Sequence, residues 1–156
     1  MEEEGNAYAH RARQIVESNS YMVVCTADSK GEPWGAPVFF AADQKYTKLY
    51  FISAIDSLHA KNVESNPEVS IVIFDSSSRI GSSEGVQMEG VASEVGKGEI
   101  AEAISAYSAR LLEKSSSSPT YRPEQYLDPS EFRFFKVQPR KIFVTGEDRR
   151  TEVEID

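Results

Sequence analysis

Hydrophobic and polar positions alternate along this chain at two periods, and the period switches where turn residues fall. In residues 7–18, Tyr8, Ala12, Ile15 and Val16 recur at helical spacing, with Asn6 where an N-cap belongs. Residues 21–27 are rich in β-branched and aromatic side chains and predict a strand, closed by a turn over 28–31. Strands follow over 33–42, carrying Trp34, Val38, Phe39 and Phe40, and over 48–53, so the chain opens as a meander. Residues 57–65 predict a short helix stopped by Asn66 and Pro67, because a residue ahead of proline is pushed out of helical conformation.

Residues 69–74 form an almost wholly apolar strand pattern, and the serine- and glycine-rich stretch 75–84 an exposed loop. Over 85–93 the pattern alternates, with Val86, Met88, Gly90 and Ala92 on one face and Gly85, Gln87, Glu89 and Val91 on the other. A longer helix is predicted over 98–113, with Ile100, Ala103, Ile104, Tyr107 and Leu111 on one side. Residues 115–119 read as a polar connector, and 132–137 and 141–145 as two last strands around Gln138 and Pro139. The charged ends, 1–5 and 147–156, read as frayed. Six to seven strands with flanking helices in one domain, 1–156, imply a mainly β, α+β fold. A closed or nearly closed antiparallel barrel removes the edges such a meander leaves exposed, and a β-sandwich accounts for the same strands.

Composition narrows the function. At 156 residues, with 40% hydrophobic and 27% charged residues, the chain is long and apolar enough to bury a core without disulfides or metals. A net charge of −8 argues against binding a nucleic-acid backbone, while leaving room for a local pocket for one small anion. Cys25 is the single cysteine, the first residues are acidic, and no apolar run approaches the roughly 20 residues that span a bilayer. A soluble cytoplasmic protein with no membrane partner is the expectation.

Most chemistry-bearing residues have a structural explanation. Cys25, mid-strand, reads as a small core residue, and Trp34 and Tyr107 as core or dimer contacts. His10 and His59 have no metal-ligand spacing, so no metal is expected. The stretch 81–85 lacks the lysine and the strand–helix setting of a phosphate loop. Glu99, Glu102 and Glu113 read as the solvated face of their helix. No residue stands out as a catalytic acid or base.

The most informative stretch is 49–63. A strand delivers Ser53, Ser57 falls at the N-cap, His59 lies in the first helical turn and Lys61 just beyond. Unpaired N–H groups and the positive end of the helix dipole favour an anion there. Hydroxyls, an imidazolium and an ammonium are donors of the kind a phosphate takes. Helical rotation sets Ser57 and Lys61 on one side and His59 on another unless the first turn is irregular. From these residues alone a second reading stands beside the first: Ser57 is only a cap, and His59 and Lys61 are solvated.

The same stretch resembles the flavin-binding strand–helix junction of the pyridoxamine 5′-phosphate oxidase-like split-barrel family, in which the strand ends in Thr or Ser, here Ser53. A Ser, an Arg and a Lys then hold the FMN phosphate, here at Ser57, Leu58 and His59. Gly31-Glu-Pro-Trp-Gly-Ala-Pro-Val-Phe-Phe40 resembles the strand whose backbone lies along the flavin ring. Val86-Gln-Met-Glu-Gly-Val-Ala92 and the closing strands around Pro139 are similar as well.

The resemblance implies an antiparallel split barrel of the FMN-binding type. It also implies a homodimer with the cofactor cleft at its interface and FMN held by Pro37, Val38, Phe39, Ile52, Ser53, Ser57, His59, Lys61 and Gln87. It points to a flavin-dependent oxidoreductase of unknown substrate. Pyridoxamine 5′-phosphate oxidation itself is not expected, because the family's C-terminal substrate motif with its Arg and His is missing. The chain departs from the pattern at Ala36, Ala41 and Leu58, where the family has cations, and at Gly85, where it has a glutamine that Gln87 replaces. These departures sustain an alternative: a non-enzymatic barrel that has lost FMN or binds another planar ligand such as haem.

Overall fold

The computed structural model describes residues 2–146 and 149–154, with only the backbone of Glu2, Glu3, Glu4 and Asn6. In chain order its elements are α1 (Glu2–Ser18), β1 (Tyr21–Ala27), β2 (Pro33–Phe39), β3 (Ala41–Ala42), β4 (Leu49–Ala54) and α2 (Leu58–Ser65). There follow β5 (Glu68–Phe74), β6 (Gly85–Glu94), α3 (Ile100–Ser115), a 3-10 turn (Pro123–Gln125), β7 (Phe132–Thr145) and β8 (Arg150–Val153). No helix among the described residues is long and apolar enough to cross a membrane.

All strand pairs are antiparallel, in the order β2-β1-β5-β6-β7-β4-β3, with β8 added on β7. The two ends of that order, β2 and β3, are consecutive pieces of one stretch interrupted at Phe40. Its first part pairs with β1 and its second with β4, so the bend at Phe40 curls the sheet into a split barrel. The opening meander is therefore real but broken. The strand expected over 33–42 is two strands, and the next, β4, also pairs with the distant β7.

Two apolar clusters hold the structure. Inside the barrel Met22, Val24, Val38, Phe40, Leu49, Phe51, Ile71, Ile73, Met88 and Phe135 pack together, closed by Ile15 and Val16 of α1. Outside it, α3 lays Ile100, Ala103 and Tyr107 on Ala41, Tyr50 and Phe134. Tyr107 meets Phe39, Tyr121 and Phe134 edge to face at 5.1, 5.7 and 5.3 Å. Polar contacts pin the same helix: the Tyr50 hydroxyl donates to Glu102 at 2.9 Å, and Lys136 donates to Glu99 at 2.5 Å. Glu99 and Glu102 are thus anchors of α3 rather than a purely solvated face. Burial first, then the Glu102 carboxylate, raises the Tyr50 hydroxyl pKa, so it stays protonated as the donor.

Several boundaries differ from expectation. The first helix starts at Glu2, not at residue 7, and Asn6 lies inside it; its acidic opening residues suit the positive end of the helix dipole. Tyr8 is exposed although its stripe mates Ala12, Ile15 and Val16 are buried. Pro139 does not split the last strand: β7 runs unbroken for 14 residues, because the register shifts opposite Glu89 and Gly90. A bulge there tolerates the missing N–H. Gly90 is required at that point, since a Cβ would sit 2.7 Å from the Gln138 carbonyl oxygen.

The end expected to fray contains β8, whose Val153 is 7% exposed in the barrel core. Met1, Glu147, Asp148, Ile155 and Asp156 lie outside the described residues. Cys25 points away from the core and is half-buried, and Trp34, 47% exposed, is not a core residue either.

Candidate functional site

Residues 53–60 form the site. Ser53 comes last but one on β4, on the side of the sheet that Phe51 occupies inside the barrel, and it is buried. The chain then turns through 55–57 on two backbone bonds, Ile55 N–H to the Glu131 carbonyl at 2.9 Å and Ser57 N–H to the Ala54 carbonyl at 3.2 Å. Ser57 caps α2 in extended conformation, φ −64° and ψ 149°, its hydroxyl accepting the Ala60 N–H at 3.3 Å. An N-cap stands outside the helical rotation, so its side chain folds back over the first turn.

That irregularity brings His59 into reach. Its Nε2 lies 2.7 Å from Ser53 Oγ and 3.3 Å from Ser57 Oγ, and the two hydroxyls are 2.9 Å apart. The expected separation of Ser57 from His59 by helical rotation does not hold. The imidazole is half-buried, its ring 6.2 Å from that of Phe51. Burial lowers its pKa and so favours the neutral imidazole, which shares one proton with the Ser53 hydroxyl in either direction.

The other expected residues scatter. Lys61 is exposed, on the outer side of α2, with no side-chain partner among the described residues. Pro37 is exposed, Val38 faces the barrel interior, and Phe39 and Ile52 pack against the outer cluster under α3. Gln87 is opposite Phe143 on β7, whereas Ser53 is opposite Arg133. Those positions are on the order of 30 Å apart along extended backbone, so one chain does not bring Gln87 to Ser53. Ala36 and Ala41 are buried, one in each apolar cluster, and Leu58 is 48% exposed.

One charged residue near the site escaped the sequence reading. Arg133 is the cross-strand partner of Ser53 and is 6% exposed. Its Nε is 2.7 Å from Glu94, its Nη2 is 3.7 Å from Asp128, and its Nη1 donates to the carbonyls of Ser130 and Phe132. Its signal in the sequence, a lone arginine within the apolar run Phe-Arg-Phe-Phe, is indistinguishable from an outward-facing strand residue.

A separate cavity lies elsewhere. About 680 Å³ in volume, it opens between the end of α1, the turn 42–46 and α3. Several of its polar walls are paired internally, although the buried Arg110 Nε has no hydrogen-bond partner among the described residues. Arg110 donates to the carbonyls of Val16, Glu17 and Asn19 at 3.0, 2.8 and 2.8 Å and faces Glu113, and Tyr46 donates to Glu17. Burial, helped by Glu17, pushes the Tyr46 hydroxyl up to about 12.

An antiparallel split barrel with this junction defines a class of protein. A family model described as pyridoxamine 5′-phosphate oxidase matches residues 9–146. The chain belongs to the pyridoxamine 5′-phosphate oxidase family.

Among solved structures it is similar to a haem-binding protein from Mycobacterium smegmatis, at 22% identity and a TM-score of 0.73. That match covers 94% of this chain but only 57% of the other. It is also similar to HutZ, a haem storage protein of Vibrio cholerae (21%, TM-score 0.65), covering 85% of this chain and 90% of that one. An FAD-binding protein from Mesorhizobium loti matches at 17% and a TM-score of 0.65, over 87% and 92% of the two chains. At these identities the likeness shows the fold alone. No curated protein matches the chain.

Proposed function

We propose that this chain binds FMN and serves as a flavin-dependent oxidoreductase, with the phosphate held by Ser53, Ser57 and His59. The observation that carries this is the convergence of two hydroxyls and an imidazole within 2.7–3.3 Å at the start of α2. The donor set fits a phosphate: both hydroxyls rotate to donate, His59 donates from a ring N–H, and the Leu58 and His59 amides have no backbone acceptor inside the helix. Bound there, the flavin supplies the redox chemistry, and the protein supplies orientation and a partly dry surface.

In this reading Pro37, Val38, Phe39 and Ile52 line the ring side, and Lys61 adds a solvated charge. Gln87 belongs to it only as a residue of a second copy, in a homodimer with the cleft between subunits. Exposed Trp34, Leu58 and Phe132, each about half accessible, support an interface. A cytoplasmic location is part of the same proposal.

One observation favours a second reading. Ala36 and Ala41 are packed in the two cores and Leu58 is apolar, so none supplies a cation to a phosphate. A barrel that binds haem, as the Mycobacterium and Vibrio proteins are named for doing, needs no such cations. Heating the purified protein and recording the supernatant spectrum, then titrating with FMN, tests both. Flavin absorbance or saturable FMN binding is the expected result. A haem Soret band with no FMN binding overturns it.

A further inference from the structure

We propose that Ser53, Ser57 and His59 form a proton-coupled specificity element: His59 is neutral in the free protein and takes up a proton as a terminal phosphate monoester enters, so the site selects FMN over FAD and riboflavin. This inference rests on the flavin reading above.

In the free protein the cluster is closed on itself. Ser53 Oγ is 2.7 Å from His59 Nε2, closer than its other partners, Ser57 Oγ at 2.9 Å and the Ala54 carbonyl at 3.3 Å. Ser57 Oγ already accepts the Ala60 amide. A phosphate offers only acceptors, so each group that contacts it has to turn a proton outward. The hydroxyls do so by rotation. A dianion beside the imidazole favours the charged imidazolium, which donates from Nε2 whichever tautomer the free cluster holds.

No carboxylate performs that role beforehand. On its own segment the ionisable neighbours of His59 are Asp56, Lys61 and Glu64, and β4 carries only Tyr50. Of the strands packed on α2, β1 brings Tyr21 and Cys25, β2 brings none, and β6 brings Glu89 and Glu94. From β7, Arg133 stands opposite Ser53 but is paired with Glu94 and Asp128. Burial is the cause that lowers the His59 pKa, so the negative charge that protonates it has to come from the ligand.

Selectivity follows from charge and shape. A phosphate monoester carries its second charge above a pKa of about 6, whereas each phosphate of a pyrophosphate diester carries one. A diester also needs room for a second substituent on the phosphate, and Ser53 is buried. The pH sign is fixed by the same linkage. Above about pH 7, affinity falls by roughly tenfold per pH unit, because the complex holds a proton that the free protein has lost. Without ligand the sign reverses: the stability tied to neutral His59 is complete above about pH 6.5 and is lost as pH falls through the lowered value.

Calorimetric titration of FMN at pH 7.5, in buffers of different ionisation enthalpy, counts the proton directly, since FMN itself is already dianionic. The wild-type protein is expected to take up close to one proton per FMN, and to bind FAD and riboflavin about tenfold more weakly or worse. His59→Gln is expected to bind FMN more weakly with no uptake. His59→Lys, charged beforehand, is expected to bind FMN well, also with no uptake. FMN binding without proton uptake, uptake that persists in both variants, or equal affinity for FAD overturns this proposal alone. Absence of any FMN binding overturns the flavin reading and this proposal with it.

Discussion

Phe51→Ala is expected to destabilise the protein by about 3–5 kcal/mol, the range for deleting a buried phenylalanine from a packed core. Phe51 has no exposed surface, stacks on Phe135 at a centroid distance of 5.3 Å and an interplanar angle of 15°, and sits beneath the His59 ring. It belongs to β4, which joins the closing strand β7 to the short β3. The cavity therefore opens where the barrel seam and the candidate site meet. A scanning calorimeter should record a fall in Tm of roughly 10 °C. Phe74→Ala is the control: Phe74 is 47% exposed, and its loss should move stability by no more than about 0.5 kcal/mol. Equal effects in the two variants would mean that Phe51 does not fill the barrel as described.

The second large effect separates two residues that the sequence treats alike. His59→Ala is expected to lower FMN affinity by about 10- to 100-fold, the worth of one charge-assisted hydrogen bond of roughly 1.5–3 kcal/mol. Lys61→Ala should lower it by less than about fivefold, since an exposed ammonium contributes about 0–1 kcal/mol. The contrast arises because His59 Nε2 joins the Ser53 hydroxyl, whereas Lys61 faces solvent. Fluorescence quenching of FMN titrated into each variant measures both. A Lys61 effect as large as that of His59 would shift the anion to the outer face of α2.

Much of the architecture is legible in the sequence, and the reasons are local. The strand over 21–27 matches β1 to the residue, because its β-branched and aromatic run ends at a turn that Asp28 ties together by accepting the Lys30 and Glu32 amides at 2.8 and 2.9 Å. The split barrel is legible through strand number and through the alternation of Val86, Met88, Gly90 and Ala92, all buried.

What is not legible depends on partners distant in sequence. Pro139 looks like a strand break because the bulge that accommodates it is a property of the β6–β7 pair. The strand β8 is hidden by its charge, since only Val153 of its four residues is buried. Within the site, Ser53 and the Ser57 cap follow from local signals. The meeting of His59 with both hydroxyls depends on the turn 55–57, which a bond to Glu131 fixes from across the sheet. Arg133 beside Ser53 is set by the β4–β7 register and has no local signal.

The central claim is that an anionic ligand seats on the junction between β4 and α2, and amide NMR tests it residue by residue. Titrating FMN into isotope-labelled protein should shift the signals of Ser53, Ser57, Leu58, His59 and Ala60 most. Largest shifts at 42–46 and along α3, around the 680 Å³ cavity, with the junction signals unmoved, would contradict it.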